Sequence, residues 1–215
     1  MEQKERTPLW QWFCLLVATT GRSDRAAFRV RQFFAWLFRS KKEVKPGSGA
    51  GTAGSIVALL ALLLFDWNFE FVFGAAFFSF LVGIFVVTPA AHWLYSCYGR
   101  SERHDGTFTC FDYNQINWDE VHGMLIAALP SFFFLKYLGP EYHQSSMLWF
   151  DLLVAFVLFR IFDAKKPGII KKIEKKFEDT DLGVMIDDTA AGIAAAVCSH
   201  LFIMWTASFR LWLLN

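Results

Sequence analysis

The sequence predicts an all-α fold: a polytopic membrane bundle of about five apolar helices, preceded by an N-terminal interfacial amphipathic segment. Hydrophobic residues make up 55% of the 215 residues and charged residues only 19%, an apolar excess over ordinary soluble domains. Phenylalanine supplies 25 residues and tryptophan 9, which suits packing surfaces and bilayer interfaces. Apolar residues also gather into five stretches, roughly 52–67, 69–95, 121–138, 147–162 and 189–206. The alternative, a soluble helical domain with buried core helices, would have little polar surface left to cover that many apolar stretches.

Taken in order, residues 1–46 form an apolar and basic amphipathic segment, and residues 47–215 a helical domain that carries the chemistry. Residues 9–18 are apolar, but the TTGR that follows lacks a small-x-small cleavage site, so a signal peptide is not expected. Arg22, Arg25, Arg29 and Arg31 are mixed with Phe28, Phe33, Phe34, Trp36 and Leu37, a composition that suits a helix lying in a membrane interface. The first and fourth apolar stretches fall short of the roughly 20 residues a spanning helix wants, so they require extension into flanking polar residues or a thin bilayer. The run KKIEKKFEDTD (171–181) reads as a solvated interfacial helix whose lysines can gather anionic headgroups.

Orientation follows from the connections. Arg39, Lys41, Lys42 and Lys45 precede the first stretch, whereas DWNFE after it has no basic residue. Arg100 and Arg103 follow the second stretch and only Lys136 the third, while six lysines between Lys165 and Lys176 follow the fourth. The alternation places the amino terminus and both basic loops in the cytoplasm.

Two acidic doublets stand at the mouths of apolar stretches, Asp119-Glu120 and Asp187-Asp188, each followed by a glycine, Gly123 and Gly192. An ionised group beside hydrocarbon is costly unless paired, solvated or bound to a cation, so the doublets point to a divalent-metal site. N-terminal acids also favour a helix macrodipole, but that modest effect does not account for both doublets together with Asp163. With the charge alternation, the glycine-rich GSGAGTAGS (47–55), DEVHG (119–123), FRIFDAKKP (159–167) and GVMIDDTAAG (183–192) all fall at the cytoplasmic face.

Other chemistries are set aside. The four cysteines lack metal-ligand or CxxC spacing and read as free thiols. Cys97 and Arg103 have the bare spacing of a thiolate phosphatase, but Glu102 stands where phosphate would sit. The glycine-rich segment has no Walker lysine, which excludes a P-loop, and no basic face is interleaved with a base-reading motif, so nucleic acid is not an expected partner. His122 is read as a local packing or hydrogen-bonding residue, and Asp151 and His200 as helix-to-helix hydrogen-bonding groups.

GTAGS, FDYNQINWDEVHG, FRIFDAKKPGI and GVMIDDTAAG, in that order, resemble the phosphatidylglycerophosphatase A family of bacterial inner membranes over about residues 47–196. Where that family usually carries Pro-Gly-Thr, this chain has Ala50-Gly51-Thr52. The resemblance implies a helical, magnesium-dependent lipid phosphatase of phospholipid biosynthesis that converts phosphatidylglycerol phosphate to phosphatidylglycerol. A phosphomonoester brings nearly two negative charges, and its hydrolysis needs them neutralised, the water oriented and the leaving alkoxide stabilised. Magnesium does this through hard oxygen ligands. Asp119, Glu120, Asp163, Asp187 and Asp188 are the candidate metal ligands, with Asp119, Glu120, Asp163 and Asp188 the catalytic set and Asp112 a lesser candidate. Thr52, Ser55, Arg160 and Lys166 are the candidate phosphate-binding residues, and Arg160, Asp163 and Lys166 share a helix face if the helix reaches Lys166 before Pro167 stops it. Direct water attack and a phosphoenzyme both stay open. The competing function is a small transporter using intramembrane carboxylates as an ion relay.

Overall fold

The computed structural model describes residues 9–20, 25, 29, 50–99, 101, 102, 108, 109, 113, 115–138, 146–177, 180 and 182–214. Apart from Arg25 and Arg29, both helical, the expected interfacial segment lies outside the described residues, as do Asp112, Arg103 and Cys110. The fold is all-helical in substance. Its elements are α1 (Leu9–Ala18), α2 (Ala50–Leu64), α3 (Phe69–Tyr98), a two-residue antiparallel pairing of β1 (Ser101–Glu102) with β2 (Phe108–Thr109), α4 (Trp118–Leu138), α5 (Ser146–Lys165), α6 (Ile169–Phe177) and α7 (Gly183–Leu214).

Local chemistry sets several boundaries. Asn68 caps α3 by accepting a hydrogen bond from the Phe71 amide at 2.8 Å, which satisfies one of the orphan donors of the first turn. At the other end Gly99, at φ +72°, donates its amide to the Tyr95 carbonyl, in a backbone conformation that glycine reaches without steric cost. Helix α4 opens with Asp119 and Glu120 and closes with Lys136, both favourable to its dipole. Helix α5 stops at Lys165 rather than continuing through Lys166, because Pro167 disfavours helical backbone at the residue before it. Lys166 instead adopts φ +41°, although its amide still reaches the Phe162 carbonyl at 2.8 Å.

Helix α4 is the centre of the bundle and packs against α2, α3, α5 and α7. Met124, Leu125, Ala127, Ala128 and Phe132 are buried there with Leu62 of α2, Ala76 of α3, Leu152 and Phe159 of α5 and Ala195 of α7. A second cluster packs Cys14, Leu15 and Ala18 of α1 against Val86, Val87, Ala90 and Leu94 of α3. The outer helices carry apolar residues on their far faces as well. Trp149, Leu153, Val157 and Ile161 of α5, and Ile193, Val197, Leu201 and Trp205 of α7, are exposed at helical spacing.

Among the described residues two helices, not five, are long and apolar enough to cross a membrane: Phe69–Tyr98 and, within α7, Gly183–Thr206. The other three expected spans differ for physical reasons. Helix α2 has 15 residues, and α4 and α5 carry charges within their length, Asp119, Glu120 and Lys136 in one and Asp151, Arg160 and Asp163 in the other. Only 33% and 28% of the two long apolar windows is buried, so most of each window faces outward from the bundle. Near the C-terminal end of α4, roughly 20 Å along the helix from Asp119, Phe133 meets Phe69 at 5.8 Å and Tyr137 at 4.6 Å, and Lys136 pairs with Glu70 at 2.5 Å. His200 lies against the rings of Phe133 and Phe134 of α4.

Candidate active site

Helices α4 and α7 both begin at the same end of the bundle, where α5 finishes and α2 starts. Gly123 and Gly192 are in contact where α4 and α7 cross, and this close approach brings their first turns together. Ligand oxygens of Asp119, Glu120 and Asp188 lie within 4.8 Å of one another. Asp119 is 8% and Asp188 4% exposed, so bulk water does little to screen their repulsion. Oε2 of Glu120 and Oδ2 of Asp188 are buried and, among the described residues, accept no hydrogen bond. Gly51 of α2 covers the cluster from one side, and any Cβ there would collide with the Glu120 carboxylate.

Asp163 joins from α5. It acts electrostatically on both Glu120 and Asp188, and its Oδ2 pairs with Arg160 Nη1 at 2.7 Å. The two Nη groups of Arg160 also reach the hydroxyls of Ser55 and Thr52, each at 3.4 Å. Ser55 is buried and in turn donates to the Gly51 carbonyl at 3.0 Å. Three of the four candidate phosphate-binding residues, Thr52, Ser55 and Arg160, therefore stand together beside the carboxylates.

Lys166 takes a different position. Its ammonium pairs with Asp187 Oδ2 and, at 3.2 Å, with Glu174 Oε1 of α6. Burial works against its charge, but Asp187, Asp188 and Glu174 outweigh that and hold the group above the ordinary lysine range, so it stays cationic at neutral pH. The second doublet is thus divided. Asp188 faces the acidic cluster, whereas Asp187 holds Lys166 with one oxygen and accepts the Asp188 amide at 3.0 Å with the other.

A layer of polar contacts supports the cluster from behind. His122 Nδ1 lies 2.8 Å from Ser79 Oγ of α3, and its Nε2 lies 3.1 Å from Thr189 Oγ1 of α7. Both hydroxyls also donate to a backbone carbonyl one turn back, Ser79 to Ala76 and Thr189 to Met185, so the ring is held between two oxygens whose protons are engaged elsewhere. His122 thus ties three helices together, in keeping with a hydrogen-bonding role. Asn117, just ahead of the first doublet, receives the Thr20 hydroxyl at 2.7 Å and donates its amide to the Ala18 carbonyl at 2.9 Å, anchoring α1 to α4. Asn117 and Thr189 lie inside the motifs FDYNQINWDEVHG and GVMIDDTAAG beside the acids, whereas Ser79 stands in an apolar stretch and Glu174 in a lysine-rich run that carry no such signal.

The donor set is all carboxylate. Clustered hard oxygens with buried, unengaged lone pairs fit an octahedral divalent cation such as magnesium, and Asp119, Glu120 and Asp188 would hold it, with Asp163 next to them. A model of the phosphatidylglycerophosphatase A family matches residues 33–203. The chain belongs to this family. It is 30% identical over 162 residues to phosphatidylglycerophosphatase A of Haemophilus influenzae, covering 74% of this chain and 80% of that one. No solved structure matches the chain significantly. As a member of the phosphatidylglycerophosphatase A family the protein is a phosphatase, which selects the enzyme over the transporter alternative, and the matched region contains every residue of the acidic cluster and its basic surroundings.

Proposed function

We propose that this phosphatase hydrolyses phosphatidylglycerol phosphate to phosphatidylglycerol and inorganic phosphate, with magnesium, at the cytoplasmic face of a bacterial inner membrane. The observation that carries the reading is the gathering of Asp119, Glu120 and Asp188 within 4.8 Å, directly beside Arg160, Thr52 and Ser55. An acidic cluster alone repels a phosphate. One that holds a cation next to a guanidinium attracts it.

Bound magnesium would neutralise phosphate charge and lower the cost of deprotonating an attacking water. The chain's own residues supply the rest. Arg160 offers a planar fork of donors suited to phosphate oxygens, and Asp163 fixes its orientation at 2.7 Å. The hydroxyls of Thr52 and Ser55 add donors on the same side. In hydrolysis the water oxygen forms a bond to phosphorus as the ester oxygen leaves; a carboxylate of the cluster accepts the water's proton, and the leaving alkoxide takes up one.

Membrane embedding is supported by the outward apolar stripes of α5 and α7 and by the two long apolar helices. The cytoplasmic face is supported by the lysines of α6, which sits at the site end of the bundle. Reporter tags at the amino terminus and within residues 171–176 should both read cytoplasm, and one within 139–146 periplasm; a periplasmic 171–176 would overturn the orientation. The activity test is phosphate release from phosphatidylglycerol phosphate by purified protein in detergent, with magnesium titrated and then chelated. Release should require the cation, and full activity in chelator would overturn the metal reading.

A further inference from the structure

We propose that Glu174 is a positioning carboxylate that competes with the substrate phosphate for the Lys166 ammonium and thereby sets phosphate affinity and release. The inference rests on the reading of Lys166 as a phosphate-binding residue. Lys166 stands at φ +41° between the end of α5 and Pro167, a backbone state that costs a lysine free energy and persists only when its surroundings hold it. Two carboxylates do so, Asp187 of α7 and Glu174 of α6. The ammonium has three protons, and two are engaged by these partners. A phosphate oxygen that takes the third arrives beside both carboxylates, and like charges at that distance oppose one another.

The two carboxylates are not equivalent. Asp187 makes the shorter contact, is the more buried side chain at 12% against 22%, and uses its other oxygen on the Asp188 amide. It is fixed to the frame of the acidic cluster. Glu174 makes the longer contact, 3.2 Å, from the nine-residue helix α6. The weaker and more exposed bond yields first. When phosphate binds Lys166, Glu174 gives way; when phosphate leaves, Glu174 returns and neutralises the lysine, which favours product departure.

The test measures KM for phosphatidylglycerol phosphate and the inhibition constant of inorganic phosphate, in the full-length protein with magnesium, for Glu174→Gln, Lys166→Ala and the double variant. Glu174→Gln keeps the shape and a hydrogen-bonding group but removes the charge. It should lower both KM and the phosphate inhibition constant by about tenfold, the scale of one removed like-charge contact near the surface, and the double variant should match Lys166→Ala alone. A merely structural Glu174 predicts the opposite sign, weaker phosphate binding as Lys166 loses its support. Unchanged or weaker phosphate inhibition in Glu174→Gln, with Lys166→Ala clearly impaired, overturns the competition and leaves the lysine assignment standing. Unimpaired Lys166→Ala removes the lysine assignment itself, and the competition falls with it.

Discussion

The backbone of Gly192 lies against that of Gly123: a Cβ added at Gly192 would stand 2.6 Å from the Gly123 carbonyl oxygen and 3.2 Å from its Cα. Gly123 is as tightly enclosed, since a Cβ there would lie 3.0 Å from the Asp188 carbonyl oxygen of α7 and collide with the Phe159 ring. Each glycine follows a cluster carboxylate by four residues, Asp119 in α4 and Asp188 in α7, so one turn of helix separates the crossing from the acids in both. Small residues at a crossing let two backbones approach closely, the common device of membrane helices. Here that approach sets the spacing of the acidic cluster.

Gly192→Ala should therefore loosen the site and destabilise the fold together. Overpacking of this kind costs about 1–3 kcal/mol, read as a lower Tm in detergent, and it should also weaken the stabilisation that added magnesium gives. Gly74→Ala in α3, where an added Cβ meets nothing within 4 Å, is the control and should leave both unchanged or gain slightly through helix propensity. Equal effects at the two positions would mean that the crossing does not set the carboxylate spacing.

Neutralising one carboxylate separates repulsion from metal binding. Without divalent cation, Asp188→Asn or Glu120→Gln removes one of three carboxyl groups crowded within 4.8 Å and should raise Tm. With magnesium the order should reverse, because the native protein gains free energy from the bound ion in proportion to its affinity and the variants gain little. Asp119→Asn, Asp163→Asn and Asp188→Asn should each remove most phosphate release. A variant with unchanged magnesium-induced stabilisation would place its residue outside the ion site.

How much of this was legible in the sequence depends on the kind of interaction. Charged doublets beside apolar stretches announce themselves, since hydrocarbon neighbours make the charge costly, and the alternation of basic connections suggested that four separated motifs meet at one end. The structure does bring Gly51, Thr52, Ser55, Asp119, Glu120, Arg160, Asp163 and Asp188 together there. What the pattern could not give was direction. Adjacent residues on a helix diverge by about 100°, so the division of labour between Asp187 and Asp188 depends on the rotation of α7, which packing decides. Glu174 was hidden inside a lysine-rich run that reads as a solvated surface. The number of spans was overread because the charges that build the site also lower the apolar character of α4 and α5.

Arg160 stands beside the acidic cluster with its guanidinium on Asp163, Ser55 and Thr52, and the kinetics test its proposed role as phosphate ligand. Arg160→Ala should lose kcat/KM by about 2–4 kcal/mol, the usual cost of one well-placed donor to developing charge. Arg160→Lys keeps the charge without the planar fork and should recover only part. Ser55→Ala and Thr52→Val, each removing one hydroxyl that meets Arg160 at 3.4 Å, should be milder. A loss confined to KM would assign Arg160 to binding shared equally by substrate and transition state.

Lys165 and Lys166 allow charge to be separated from position. Lys165 closes α5 and is exposed, whereas Lys166 leaves the helix at φ +41° and turns its ammonium to Asp187 and Glu174. Both would contribute alike to a basic surface that attracts anionic lipid, so the comparison cancels that contribution. Lys166→Ala should cost kcat/KM on the order of 2–4 kcal/mol and also lower Tm, because two partly buried carboxylates lose their counter-charge. Lys166→Arg should retain part of the activity, since it keeps the cation but changes its reach. Lys165→Ala should change neither measurement by much, in line with the small effect of exposed charges. Equal, mild losses at the two lysines, measured as phosphate release on mixed micelles, would assign Lys166 to the interfacial basic belt and leave phosphate neutralisation to Arg160 and the cation.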